Sequence, residues 1–471
     1  MKNLIGLIVV LALAAGITWY VAGREPGPLI RITSPQTVIG GSGDLAVEID
    51  TPAGKLKSLD VVLEQDAARV PVFSLEGGSS ASGGASRLVS QGAGRLLLTA
   101  PIGKQQIPEL VQGKARIVVT ASRAVLFGYR RVESTTSREI TVDLTPPIIS
   151  VVSTDHYINQ GGSEMVVYHV SPANVASGVQ VGTDEYPGYP ASGAHIVTQD
   201  PGLRVAFFAL LWNQNPSTPI RLYARDAAGN EAHATFDYRV FPKTFRESRI
   251  NISDSFLQKV VPPILQNNPS FKVADPSNLL ASFLRINGDL RREDAAEISA
   301  LARGTSPEIL WQGPFRQLVN SAVEAGFADQ RTYVHDGQVI DHQVHLGYDL
   351  ASYAGAPVYA ANRGRVVHAG WLDIYGNCVI IDHGMGLQSL YGHMASVEVK
   401  VGQMVDKGTE IGREGETGLA GGYHVHFTML LNGNAITPID WWSPKWVQDR
   451  ILRKLEAAGA PAPAVDRAAP R

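Results

Sequence analysis

The sequence predicts a mainly β protein behind a single N-terminal transmembrane helix, and three observations predict it. The 471 residues include 47 Gly and 28 Pro alongside many Val, Ile and Thr, a mix that favours short strands and turns over long helices. Apolar and polar residues alternate with period two in runs such as Leu45-Ala46-Val47-Glu48-Ile49, which is strand spacing. The stretch from Asn3 to Gly23 carries no charge and is apolar almost throughout.

Composition narrows the function. A chain of this length holds roughly three or four domains, and its hydrophobic content of 44% supports packed cores. With 41 Lys+Arg against 44 Asp+Glu the formal charge is −3, so no strong net field recruits nucleic acid. The lone cysteine, Cys378, excludes an intramolecular disulfide and a thiolate metal cluster. Any metal is therefore held by His and carboxylate.

Residues 1–24 are a transmembrane anchor or signal segment. About 20 apolar residues span the ~30 Å hydrocarbon core as a helix, and Trp19 and Tyr20 are placed to anchor at the interface. Ala12-x-Ala14 offers a cleavage site, but the apolar run continues past it, which favours an uncleaved anchor. Either way the rest is exported: membrane-anchored with its bulk in the periplasm or extracellular space, or secreted after cleavage.

Residues 25–145 follow as a first β-sandwich, with strand-like runs at Leu29-Ile30-Arg31-Ile32 and Ala115-Arg116-Ile117-Val118-Val119 and a mobile Gly/Ser-rich loop from Gly77 to Ala85. Thr145-Pro146-Pro147 marks a boundary before a second set over 146–243. Its closing segment, from Ile220 through the Gly229-Asn230 turn to Ala232, resembles the terminal hairpin of bacterial immunoglobulin-like domains, and two such sandwiches are expected. Residues 244–311 change texture: Ser253 to Val261 and Asp294 to Gly304 have helical spacing, a polar N-cap candidate and a closing Gly, so a helical connector is expected. Strands return over 312–445, including a hairpin turning at Asp336-Gly337. Residues 446–471 read as a short amphipathic helix and a disordered Ala/Pro-rich tail.

Eight of the twelve histidines fall between His335 and His426. His345-Leu346-Gly347-Tyr348-Asp349 puts a His and a carboxylate four residues apart, and His424-Val425-His426 puts two imidazoles two apart. On a strand, residues at i and i+2 share a face, so His424 and His426 enter the same space. If His345 and Asp349 face them, three N/O ligands are available to one Zn²⁺ with a fourth position left for water. Imidazole donors favour zinc over magnesium or calcium, which prefer oxygen alone.

These two segments, with Asn377-Cys378-Val379-Ile380-Ile381-Asp382-His383-Gly384 and Leu390-Tyr391-Gly392-His393-Met394 between them, resemble the lysostaphin/LytM-type zinc metallopeptidases. Members of that family are mostly peptidoglycan endopeptidases. The resemblance implies an antiparallel β peptidase domain over 312–445, one Zn²⁺ held by His345, Asp349 and His426, and water-activating and transition-state-stabilising roles for His393 and His424. It implies peptidoglycan as the substrate, with the membrane met through the N-terminal helix and other cell-wall or division partners unnamed. No His-Glu-x-x-His motif occurs, so histidine does the work of a glutamate base. Some members of the family have lost these residues and only activate other cell-wall hydrolases; a scaffold of that kind is the alternative function. An adhesin built on the sandwiches and an exported protease acting on proteins are further rivals.

The chain departs from the family pattern at Gly421-Gly422-Tyr423 before the His-x-His, at Thr428, and at Ala328 within Gly326-Phe327-Ala328-Asp329-Gln330-Arg331, where a second glycine is usual. The remaining histidines are assigned bland roles: His335 exposed, His342 at the cleft rim, His368 and His383 in structural hydrogen bonds. Cys378 is read as a buried small hydrophobe and Trp441-Trp442 as core or domain-edge packing.

Overall fold

The computed structural model describes residues 2–51, 55–76, 79–80, 86–92 and 94–461. Apart from Ser79-Ser80, the loop expected over Gly77–Ala85 lies outside these residues, as does the tail from 462 onward. Helix α1 (Lys2–Ala22) contains a window, Ile5–Ala22, of mean hydropathy 2.3 whose side chains are almost all exposed. That helix is long and apolar enough to cross a membrane.

The chain divides into two compact units, one of residues 1–147 with 225–232 and one of 148–224 with 233–471. In the first unit a four-stranded sheet runs in the order Leu29–Ser34, Gly43–Asp50, Arg95–Ile102, Arg87–Gly92. A six-stranded sheet contains Val38–Ile39, Arg130–Val142, Gly113–Val125, Leu56–Gln65, Ala68–Glu76 and Ser79–Ser80 in that order. Leu45, Val47 and Ile49 alternate inward from the first sheet and share one core with Leu59, Val61 and Leu63 of the second. Period-two burial of this kind makes a sandwich, each fully buried aliphatic chain contributing about 1.5–3 kcal/mol.

The second unit opens with a sheet of Ile148–Val151, Ser163–Ser171, Leu203–Ala209 and Tyr189–Pro190. Its largest sheet has eight strands, antiparallel throughout. The order is Ala322–Ala325, Tyr348–Ala351, Val425–Leu431, Leu387–Met394, Asn377–Gly384, Gly364–Trp371 and Met404–Val405, with Asn434–Ile436 also on Val425–Leu431. Residue 243 is not a break in packing. Tyr168, Phe207 and Phe208 from upstream belong to the same buried core as Val379, Phe427 and Trp441. Trp441 is fully buried against Phe207, Trp311 and Phe315, and its Nε1–H donates to Ser163 Oγ at 3.1 Å. Cys378 is fully buried as well.

The 244–311 stretch is helical for the most part but opens with a strand. Glu247–Asn251 pairs in parallel with Asp329–His335, which is antiparallel to Gln338–His345 across the two-residue turn Asp336-Gly337. Both turn residues have positive φ, 49° and 79°, the conformation that suits a tight hairpin. Helices α2 (Asp254–Asn267), α3 (Leu279–Arg285) and α4 (Arg291–Ala302) follow, with a π turn over Ile286–Leu290 joining the last two. Ser253 caps α2 by accepting from Phe256 N–H at 3.2 Å, as its sequence position suggests. Asp294, at the expected start of the next helix, is instead inside α4, buried, and accepts from Ile374 N–H at 3.2 Å.

Two histidines of this unit are neutral supports. Burial, with the Lys454 charge adding to it, lowers His156 to about 4; burial also lowers His383 to about 4. The His383 ring lies between Arg363 C=O at 2.8 Å and Ser389 Oγ at 2.7 Å, the structural role expected of it. In the unfolded chain these rings take a proton near pH 6.5, while in the fold they stay neutral until about pH 4. Their contribution is therefore present above 6.5 and lost as pH falls toward 4, on the order of 3 kcal/mol for each ring. Thermal unfolding followed from pH 7 to 4 should show His383→Gln losing less stability over that window than the wild type; parallel curves would refute the assignment.

Candidate active site

Strand register brings the site together. Asp349 lies directly opposite His426, and His426 in turn opposite Gly392, the neighbour of His393. His345 ends its hairpin strand opposite Asp329. His345 Nε2 is 2.9 Å from Asp349 Oδ1 and 3.0 Å from His426 Nδ1, and the latter is 3.1 Å from the same Oδ1. All three residues are buried. The approach depends on Gly347, where a Cβ would meet His426 Nε2 and Thr428 Oγ1 at 2.5 Å.

The outer faces of the rings determine what the inner faces offer. His345 Nδ1–H donates to Gly326 C=O at 2.9 Å, which leaves Nε2 with a lone pair. Thr428 Oγ1–H donates to Leu346 C=O at 2.9 Å, so its oxygen accepts from His426 Nε2–H at 2.9 Å; His426 Nδ1 is then bare too. Two lone pairs and a carboxylate oxygen thus converge within about 3 Å of one another, an arrangement that repels itself unless positive charge enters. Burial would raise the Asp349 carboxyl, but the imidazoles gathered around it outweigh that and hold it well below the usual range. Burial pushes His426 down to about 4. An anionic oxygen beside a neutral imidazole is the donor set that a divalent, nitrogen-seeking cation accepts.

His393 and His424 complete the cluster, their ring centroids 4.8 Å apart. His393 has φ +63°, a left-handed conformation that costs a non-glycine residue on the order of 1 kcal/mol or more. Its Nδ1–H donates to Thr417 C=O at 2.8 Å, freeing Nε2, and burial with the neighbouring histidine charges lowers it well below the ordinary value. Burial lowers His424 likewise, but the hydrogen bond and charge of Asp349 outweigh this and raise it overall. His424 Nδ1–H donates to Gly422 C=O at 2.9 Å, and Nε2 is 3.5 Å from Asp349 Oδ1.

All five expected site residues therefore line one cavity of about 470 Å³. His342 is exposed and stands outside its lining. His335 is a correction: its side chain is only 13% exposed, because the Glu247–Asn251 strand leads the Ile252 carbonyl over it to pair with Nδ1 at 2.9 Å. His368 also differs from expectation, since its buried Nε2 has no hydrogen-bond partner among the described residues and its Nδ1 is 4.0 Å from Glu297. Sequence reasoning missed the function of Arg331. Its Nη2 donates to Asp349 Oδ2 at 3.1 Å, and Asp329, which faces it at 3.4 Å, accepts from Ser248 Oγ at 2.8 Å. The signal was available: Asp329 and Arg331 alternate onto one face of a strand that pairs with the His345 strand.

Comparison with known proteins agrees with this geometry. Residues 343–438 match the model of peptidase family M23. The C-terminal domain is an M23 peptidase domain. The chain is 32% identical over 114 residues to the peptidoglycan DD-endopeptidase ShyB of Vibrio cholerae, covering 24% of this chain and 26% of that one. It is 37% identical over 95 residues to the murein hydrolase activator EnvC of Escherichia coli, covering 20% and 23%. The catalytic domain of lysostaphin from Staphylococcus simulans matches at 28% identity and a TM-score of 0.22, over 26% of this chain and 92% of that one. The chain spans a third or less of the length of the first curated relatives it matches.

Proposed function

We propose that the chain is an exported zinc endopeptidase that hydrolyses peptide bonds in cell-wall peptidoglycan, held at the membrane by α1. The observation that carries this is the meeting of His345 Nε2, Asp349 Oδ1 and His426 Nδ1 within about 3 Å, with two further imidazoles beside them. Those three atoms would hold Zn²⁺, which when bound polarises a scissile carbonyl and acidifies water. Arg331 keeps the Asp349 carboxylate aimed inward. His393, with a free Nε2, takes the proton of the attacking water; His424, whose proton affinity Asp349 raises, donates to the leaving amine. Environments that push two titratable groups apart are the usual basis for such acid and base roles. Of the two regions read as immunoglobulin-like, 25–145 serves as the spacer from the membrane, and 146–243, which shares the peptidase core, as a scaffold.

A second reading, a non-catalytic activator of other hydrolases, is favoured by the likeness to EnvC. The complete set of five residues weighs against it. Metal analysis and peptidoglycan digestion by the full chain in detergent micelles separate the two. The endopeptidase predicts about one zinc per chain and new peptide ends, lost on chelation and restored by zinc. Zinc without cleavage, but with stimulation of a cell-wall amidase, would favour the activator, and a chain that takes up no zinc would defeat the metal site.

A further inference from the structure

Part of the cavity wall around the histidines comes from the helical connector. Phe256 of α2, Phe283 of α3 and Arg291 of α4 line the same space as His345, His393 and His424. Three charged side chains face that space outside the imidazoles: Asp349, Arg331 and Arg291. The first two pair with each other at 3.1 Å.

Arg291 has no ion pair among the described residues. Its neighbours Arg285 and Arg292 both pair with Asp289. The fork of Arg291 is nonetheless held firmly: Nε donates to Asn287 C=O at 3.1 Å and Nη2 to Asn287 Oδ1 at 2.7 Å. Asn287 is fully buried and its Nδ2–H donates to Asp341 Oδ2 at 2.7 Å. Asp341 in turn accepts from Gln343 and from the His342 N–H. Nη1 is left without a hydrogen-bond partner among the described residues. The nearby Asp294 carboxyl does not neutralise the guanidinium at pH 7, since burial and Asp373 push it up to about 8. A pre-oriented, unpaired guanidinium beside the apolar Phe256 and Phe283 in this cleft is suited to bind a carboxylate.

We infer that Arg291 is the carboxylate-binding residue of the substrate cleft, so that the enzyme selects peptides bearing a free carboxylate near the scissile bond. This rests on the endopeptidase reading. The test uses two synthetic cross-linked stem peptides identical except that the free α-carboxylate nearest the cross-link is a carboxamide in one. The full chain is expected to favour the carboxylate form by about 10- to 100-fold in kcat/KM, the range for a hydrogen bond to a charged group. In Arg291→Gln the ratio should fall to about 1, and Arg291→Lys should restore part of it. A ratio is insensitive to the fraction of folded protein. Calorimetric binding of both peptides supplies a readout that needs no turnover. Equal cleavage of the two forms by the wild type, or a preference that survives in Arg291→Gln, would overturn the carboxylate site and leave the endopeptidase standing. Binding that discriminates, and loses discrimination in Arg291→Gln, without cleavage of either peptide would keep the site and overturn the endopeptidase.

Discussion

Asp349→Asn is expected to remove zinc binding and to lower peptidoglycan hydrolysis by at least ~10³-fold, the several kcal/mol that a Lewis acid supplies to carbonyl chemistry. Asp349 is the hub of the cluster, since His345, His426 and His424 all lie within 3.5 Å of its Oδ1 and Arg331 holds Oδ2. Asparagine keeps the shape and removes the charge, so two bare imidazole nitrogens would remain with no anion to balance a dication. A second effect follows without any substrate. A ligand bound only to the fold raises stability by mass action, so the wild type should melt at a higher temperature in micromolar zinc and Asp349→Asn should not. A variant whose melting still responds to zinc, with hydrolysis intact, would show that the metal site is elsewhere.

Substituting His393 or His424 by alanine should leave zinc content unchanged and lower hydrolysis by about 10²- to 10⁴-fold, the range for a lost proton-transfer group. Neither ring is within the 3 Å triangle of His345, Asp349 and His426 atoms, yet His393 is held by Thr417 and His424 by Gly422 through their Nδ1–H groups. Metal analysis beside rate measurement separates the classes: the Asp349 variant loses both, these lose one. Alanine at His393 that also empties the metal site would make His393 a ligand and break the division of labour.

The parts of the fold legible in sequence are those with short-range causes. Asp336-Gly337 announced its hairpin because positive φ at both positions selects those residues. His424 and His426 met on one side because strand periodicity requires it. The strand Glu247–Asn251 was illegible because five residues beside helical segments carry little periodicity, and its partner is some 80 residues away. From that omission followed the misreading of His335, whose cover comes from the same segment. Arg291 was hidden for a similar reason: only the packing of α4 shows that it faces the histidines. At Ala328 the family pattern carried more physics than its residue type showed, since φ there is +59°, the conformation for which glycine is usual.

The atoms that would hold the metal come from distant parts of the chain, His426 pairing with Asp349 and His345 across 77 and 81 residues. No local fragment contains them, since Tyr348–Ala351 pairs with Val425–Leu431, a strand far along the chain. Non-local pairings of this kind arise late in folding. On the endopeptidase reading, a chain that has not yet completed this sheet therefore carries no blade. The capacity to cut would then appear only together with the completed sheet.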